Sequence, residues 1–204
     1  MAKSRQLTAS VFLNIPYDRK FERLFLAYIC GVSAYGLIPR ATVEIPSGTR
    51  RLDRILGLLK TCRYSIHDLS RVQLDNRKPR TPRFNMPFEL GLTVALERIS
   101  SGFQHEWYVC ESVSLRLMKS LSDLNGTDPQ IHGGTVNGVF EGICNIFVRQ
   151  NRQPTVQQMK KIYREVQKRL PIITRRAGAQ SLYTARVFQD LCVLASDFAG
   201  ETIR

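Results

Sequence analysis

The sequence predicts an α/β fold: a five-stranded parallel sheet in the flavodoxin-like order 2-1-3-4-5, helices on both faces, and a C-terminal helical extension. Three observations carry this. Short apolar runs of strand length alternate with longer segments whose apolar residues recur every three or four positions, the pattern of parallel strands joined by crossover helices. Right-handed crossovers among five such units favour that strand order. After about Gln150 the alternation stops and two helical patterns follow. The chain is therefore divided into a flavodoxin-fold domain over 8–150 and a basic C-terminal helical extension over 151–204 packed on it.

Val11-Phe12-Leu13-Asn14-Ile15 is a buried first strand stopped by Pro16. Phe21, Leu24, Phe25, Tyr28, Ile29 and Val32 form one helical face, with Asp18 placed to cap it and Gly36 to close it. The second strand, Leu37 to Val43, contains Pro39, which suits an edge position. A loop over 44–49 leads to a helix with the stripe Leu52, Ile55, Leu56 and Leu59, and Tyr64 to Ser70 is the third strand with a polar exit. The connection from Arg71 to Asn85 is long enough to be a binding loop. The third helix starts near Met86 with Pro87 in its first turn. Trp107 to Cys110, a helix over 115–121, a short strand at Gln130 to His132 and a helix from Val136 to Val148 complete the sheet units. Asn151 to Pro154 is a linker, Thr155 to Leu170 a basic helix and Thr184 to Ala199 a more apolar one.

With 204 residues, 43% hydrophobic and 23% charged, the chain can bury one core and an appendage. No apolar run reaches the length of a membrane span, and no apolar region follows the charged start Met1 to Gln6, so a cytoplasmic protein without a membrane partner is expected. The five cysteines are odd in number, widely spaced and set in apolar runs, which fits core residues rather than disulfides. His67, His105 and His132 have no partners at metal-ligand spacing, so no metal site is expected. A formal charge of +13 and a pI near 10.0 make nucleic acid a candidate partner. The charge concentrates in Arg149, Arg152, Lys160, Lys161, Arg164, Lys168, Arg169, Arg175 and Arg176, with a smaller group at Arg77, Lys78, Arg80 and Arg83. A solvated helix face and a basic loop are the plainer explanation, since no aromatic interleaving accompanies either group.

In this strand order ligands sit beyond the carboxyl ends of the strands, between strands one and three. That places Asn14, Tyr17, Asp18, His67, Asp68, Ser70 and Arg71 at one crevice, with Glu89 at the start of the third helix aimed into it. A carboxylate beside an anomeric carbon stabilises the sugar cation of glycosidic cleavage, a role Glu89 fits. Asn14, Asp18 and Asp68 are candidate ribose or base contacts, and Arg40, Arg51, Arg71 and Arg83 candidate phosphate ligands. Each has a plainer reading: Glu89 as a helix-start carboxylate, Asp68 as a turn former, His67 as a strand residue with a satisfied ring, and Asn14 as a buried amide that needs partners. With Asn85 as the cap, a capping-box glutamate would fall at Phe88 instead. There is no P-loop, Gly133-Gly134 is too little for a dinucleotide fingerprint, and neither a nucleophile elbow nor a Cys-His pair is evident.

The segments Val11 to Asp18, Gly36 to Arg40, Arg51 to Ile55, Cys62 to Arg71 and Pro82 to Gly91 together resemble a bacterial branch of the TIR-like and nucleoside 2-deoxyribosyltransferase-like superfamily, over roughly residues 10–150. The resemblance implies a flavodoxin-like fold and N-glycosidic bond chemistry on a nucleoside or on NAD. It implies Glu89 in Glu89-Leu90-Gly91 as the catalytic residue, Asp68 as a substrate contact, and a pocket-shaping role for the loop from Glu44 to Arg51. Tyr17, Ser70 and Asn85 fall within the same segments. Bacterial TIR-like enzymes commonly deplete NAD or make a nucleotide signal in phage defence. An NAD or nucleotide glycohydrolase, or a deoxyribosyltransferase-like enzyme, is the leading expectation. It has a nucleotide as substrate, no separate cofactor and room for a homo-oligomer. A catalytically silent nucleotide sensor and a basic nucleic-acid-binding or assembly module are the alternatives.

Overall fold

The computed structural model describes residues 8–45, 48–72, 78–99 and 104–203. Its strands are β1 (Thr8–Asn14), β2 (Ile38–Arg40), β3 (Cys62–Asp68), β4 (Glu106–Glu111) and β5 (Gln130–Ile131). They form one sheet of order β2-β1-β3-β4-β5, parallel throughout. The expected flavodoxin-like α/β architecture is what the chain adopts. The helices are α1 (Glu22–Ala34), α2 (Arg51–Thr61), α3 (Asn85–Ile99), α4 (Arg116–Ser120), α5 (Val136–Ile146), α6 (Val156–Arg176) and α7 (Ala185–Thr202).

One face of the sheet carries α1 and α5, and α6 and α7 form a further layer over them. The sequence pattern assigns α1 a single buried stripe, yet every residue from Leu24 to Ala34 is buried. Its second face, with Leu26, Cys30 and Ser33, lies under the C-terminal helices. The main core is accordingly continuous from Val11, Leu13 and Ile66 through Phe25 and Phe140 to Met159, Ile162, Val187, Phe188 and Leu191. The rings of Phe25 and Phe188 stack 5.7 Å apart at 9°. The opposite face is filled by Phe12, Ile55, Leu58, Leu59 and Cys62 beneath α2, and by Leu69, Met86, Leu90, Val109 and Leu117 beneath α3 and α4.

Several elements differ from expectation for local reasons. β2 is three residues long, because residues 42–44 turn into a 3-10 helix at the sheet edge; Pro39 sits in that edge strand, where a missing N–H is tolerated. On α2 the buried residues are Ile55, Leu58 and Leu59, while Leu52 is exposed at the first turn. α6 passes through Pro171 and ends at Arg176 instead of stopping at Leu170. The carbonyl stripped of its donor belongs to Gln167, which is exposed to water along with Pro171 itself. A capping box of Thr155 and Gln158 starts α6, and Arg152 donates to Ala199 O and Ile203 O at the end of α7. At Gly138 a Cβ would lie 2.2 Å from His132 O, so only glycine lets α5 start this close to the β5 exit.

Because α7 shares the main core, Phe188→Ala is expected to cost about 3–5 kcal/mol and to lower the single urea-unfolding transition of the whole chain. Separate transitions for sheet and C-terminal helices would show that the two fold independently.

Candidate functional site

β1 ends in Asn14 and β3 in His67 and Asp68, and these two neighbouring strands diverge into their loops at the carboxyl edge of the sheet. Two clefts open there. One, of about 340 Å³, is lined by Ile15, Pro16, Tyr17, Arg51, Arg83, Asn85 and Met86. The other, of about 420 Å³, is lined by Tyr17, Thr42 to Ile45, Arg51, Arg54, Tyr183 and Ala185. Tyr17 and Arg51 are common to both. The Arg51 guanidinium lies over the Tyr17 ring, 5.8 Å from its centroid, and the Tyr17 hydroxyl pairs with Thr42 Oγ1 at 3.0 Å.

Glu89 lies behind Arg51. It does not open the helix: α3 begins at Asn85, which puts Glu89 in the second turn with its side chain turned inward and only 3% of the residue exposed. A role in capping the helix is thereby excluded. Arg51 Nε donates to Glu89 Oε1 at 3.3 Å, while Oε2 is buried with no hydrogen-bond partner among the described residues. Burial raises the Glu89 pKa above the ordinary carboxylate value, opposed by the Arg51 charge and by hydrogen bonds from Arg51 and Asn14.

Asn14 is held from below. Its Nδ2 donates to His67 Nδ1 at 3.0 Å, so the His67 proton sits on Nε2, which donates to Ser65 Oγ at 2.9 Å. Ser65 Oγ lies 2.7 Å from His105 Nε2, and His105 Nδ1 lies 2.8 Å from the Cys62 carbonyl, which can only accept. The chain of donors therefore runs one way, from Asn14 through His67 and Ser65 to His105 and Cys62, with both imidazoles neutral. Burial pushes the His67 pKa down to about 3, the nearby His105 adding to the effect. A group held neutral at that level does not serve as a general acid or base near neutral pH; its place is to fix the Asn14 amide.

On the other face of β3, Asp68 is fully buried beneath the crevice. Oδ2 accepts from Tyr28 OH at 2.7 Å and from His132 Nε2 at 3.0 Å, and Oδ1 accepts from Ser70 N at 2.9 Å. The expected substrate contact is thus committed to internal partners. Ser70, His132 and Asp68 have the composition of a nucleophilic triad but not its geometry. Ser70 Oγ approaches Nε2, the same nitrogen that meets Asp68, and Nδ1 accepts from Gly134 N at 2.9 Å. In a working triad the serine and the aspartate engage opposite nitrogens of the ring. A third buried carboxylate at this edge, Glu111, is saturated by Arg116, Ser112 and Val113 N.

Models of protein families, curated proteins and solved structures offer no match to this chain. What the site can do follows from its own groups.

Of the residues predicted from sequence, Tyr17, Arg51, Arg83 and Asn85 line the clefts. Asn14, His67, Asp68 and Ser70 lie beneath them, all buried. Asp18 Oδ2 accepts from Arg71 Nε at 3.0 Å and Arg83 Nη1 at 3.4 Å, and its Oδ1 caps the 3-10 turn at Lys20 N. Arg40 pairs with Glu44 at the wall of the larger of the two clefts. Arg77 and part of the 71–85 connection lie outside the described residues. Sequence reasoning missed Tyr183, which reaches back between α6 and α7. Its ring stacks on Tyr17 at 5.0 Å, and its hydroxyl donates to Asp18 O at 2.8 Å. It also missed Thr42 and Arg54. Arg54 is legible only as a cation one helical turn from Arg51; no signal marks Tyr183.

A larger cleft, about 730 Å³, opens at the opposite, amino-terminal edge of the sheet. There Arg63 pairs with Glu106, Tyr108 OH donates to Glu106, and Gln150 donates to Tyr64 OH. No buried side-chain group without a partner lines it among the described residues, and we place the site at the carboxyl edge. Among the described residues, no group of three or more His, Cys, Asp or Glu could hold a metal ion, and no helix is long and apolar enough to cross a membrane.

The folded state resists protonating His67, whereas the unfolded chain takes up that proton near the ordinary histidine value of 6.5. Its contribution is fully present above about pH 6.5 and falls by roughly 1.4 kcal/mol per pH unit as the pH drops toward 3. His67→Gln should flatten this acid limb of stability, measured by urea unfolding between pH 7 and 4. An unchanged slope would assign the acid sensitivity elsewhere.

Proposed function

We propose that the crevice binds a nucleotide and that Glu89 stabilises the ribosyl cation during cleavage or transfer at its N-glycosidic bond. The observation that carries this reading is the unpaired Glu89 Oε2. Among the described residues three carboxylates are buried at the carboxyl edge of the sheet; each oxygen of Asp68 and Glu111 has a donor, and Glu89 alone keeps one without a hydrogen-bond partner. The resemblance of Arg83 to Gly91 and of His67 to Arg71 to the TIR-like and deoxyribosyltransferase-like superfamily supports the same assignment.

The chemistry asks little of other side chains. The C1′–N bond breaks with its electron pair leaving on the base, and positive charge spreads over C1′ and O4′, where the carboxylate offsets it. Water or an acceptor base adds at C1′, and a proton is released to solvent. With NAD the leaving nicotinamide departs neutral, so no general acid is required, which accords with the neutral His67. Arg83 and Arg51 supply cationic groups for phosphates, and the Tyr17 ring an aromatic wall.

Incubated with NAD, the wild-type protein should release free nicotinamide, and Glu89→Gln should lower that rate about 100- to 1,000-fold with its unfolding midpoint kept. Saturable nucleotide binding without turnover would instead make the crevice a sensor, and neither binding nor turnover would remove the reading.

A second reading has its own observation. Lys161, Arg164, Lys168 and Arg175 are exposed along one face of α6 at intervals of three, four and seven residues, and Glu165 is the sole carboxylate on that helix. We propose that this face meets a nucleic-acid backbone. Changing Lys161, Arg164 and Lys168 to Gln should reduce the slope of log affinity against log salt by roughly 0.9 per lost phosphate contact, measured on a short duplex. Affinity that does not vary with salt would dismiss the idea.

A further inference from the structure

Arg51 stands where a ligand must pass. It lines both clefts, whereas Glu89 lines neither. Its side chain is 45% exposed and that of Glu89 only 4%. The guanidinium therefore shields the carboxylate from the solvent of the crevice, and a sugar placed in the smaller cleft could not touch Glu89 while Arg51 keeps this position. The contacts that hold it are slight: one hydrogen bond of 3.3 Å from Nε and its place over the Tyr17 ring, in a side chain half in water. A phosphate offers the same guanidinium two parallel charge-assisted bonds and a larger charge.

The larger cleft has the means to receive that exchange. Arg54 is held against its wall by Nη1, which donates to Thr42 O at 3.2 Å and Ile45 O at 3.4 Å, and its buried Nε has no partner among the described residues. The first turn of α2, from which Arg51 projects, has no side-chain cap at Arg50, and the N-terminal end of a helix favours an anion. Glu44, the carboxylate lining this cleft, is occupied by Arg40.

We propose that Arg51 is an anion-operated latch on Glu89: a phosphate or diphosphate of the ligand draws its guanidinium into the larger cleft and uncovers the carboxylate to a sugar in the smaller one. The proposal rests on the reading of Glu89 as the group that faces the sugar. It sets a substrate class, since a nucleotide carries the key to the latch and a neutral nucleoside does not. It also gives Tyr17 a part, as the surface across which the guanidinium slides between the two positions.

The latch is tested without reference to turnover. The Glu89 carboxyl is followed by ¹³C NMR in the full chain, assigned by its loss in Glu89→Gln, and titrated alone and with inorganic pyrophosphate, ADP-ribose or adenosine. The Tyr17 phenol also feels the Glu89 charge; its pKa is raised by burial, so it stays neutral throughout. Pyrophosphate and ADP-ribose should each move the Glu89 titration upward by about one pH unit or more, and adenosine should leave it in place. A shift at lower concentration with ADP-ribose than with pyrophosphate marks the nucleotide as the ligand, and equal potency marks the diphosphate alone; both uphold the latch. In Arg51→Gln the titration should start high and ignore all three, and Arg51→Lys should keep a reduced response. An unmoved titration with millimolar pyrophosphate and ADP-ribose, or an equal shift with adenosine, overturns the proposal. Glu89-dependent turnover combined with an unmoved titration would keep the reaction and discard the latch.

Discussion

The burial of β3 between two helical layers obliges every polar group it carries to find a partner inside the protein, and the rest of the crevice is arranged around how that is done. Ser65 and His67 point to one face, and their only consistent protonation pattern makes His67 an acceptor toward Asn14. Asp68 points to the other face and gathers Tyr28 from α1, His132 from beyond β5 and the backbone of its own exit loop. One strand thus ties down the neighbouring strand end, the helix packed on it and a loop two strands away. The cost of leaving any of these groups unpaired, about 1–3 kcal/mol each, is what makes the geometry rigid. Asn14 can then present its amide to Glu89 from a fixed place.

The C-terminal helices enter the site by the same logic of coverage. α1 is apolar all round, so it needs a second layer, and α6 and α7 provide it through Met159, Ile162, Phe188 and Leu191. The connection between them must then return across the end of α1. Tyr183 lies on that return, stacked on Tyr17 and on Phe25 and bonded to the Asp18 carbonyl. A segment whose composition suggests an appendage therefore forms one wall of the larger carboxyl-edge cleft, and packing of the core is what brings it there.

The alternation of strands and helices was legible because each strand is a short apolar run and each crossover helix has periodic apolar residues. The strand order followed from handedness alone. The crevice was legible because a parallel sheet places all its strand exits on one edge, which brought Asn14, Tyr17, His67, Asp68 and Glu89 together. The depth at which each residue would sit was not legible. Asp68 and His67 read as site residues because they are polar at a strand end, yet tertiary partners distant in sequence, Tyr28, His132, Ser65 and Asn14, draw them into the interior. The full burial of α1 was not read from its single apolar stripe, although Leu26, Ala27, Cys30, Gly31 and Ser33 stand where a helix facing solvent on one side would carry charged residues. Tyr183 carried no such signal, since its position depends on how far α6 runs, and α6 runs past a proline that ordinarily ends a helix.

Burial alone does not separate a structural carboxylate from a reactive one at this edge, because Asp68, Glu89 and Glu111 are equally removed from solvent. Capacity does. A carboxylate whose oxygens are filled by fixed donors has had its charge offset before any ligand arrives, and a developing cation gains little from it. Glu89 has one long contact to a half-exposed cation, the Asn14 amide beside it, and one oxygen with no hydrogen-bond donor among the described residues. Its charge is offset incompletely, at the expense of a raised pKa, and what is missing is a positive charge placed beside Oε2. In the proposed reaction an oxocarbenium ion brings that charge only in the transition state, so the same incomplete offset favours the transition state over a neutral sugar in the ground state, which is the condition binding energy must meet to accelerate a reaction.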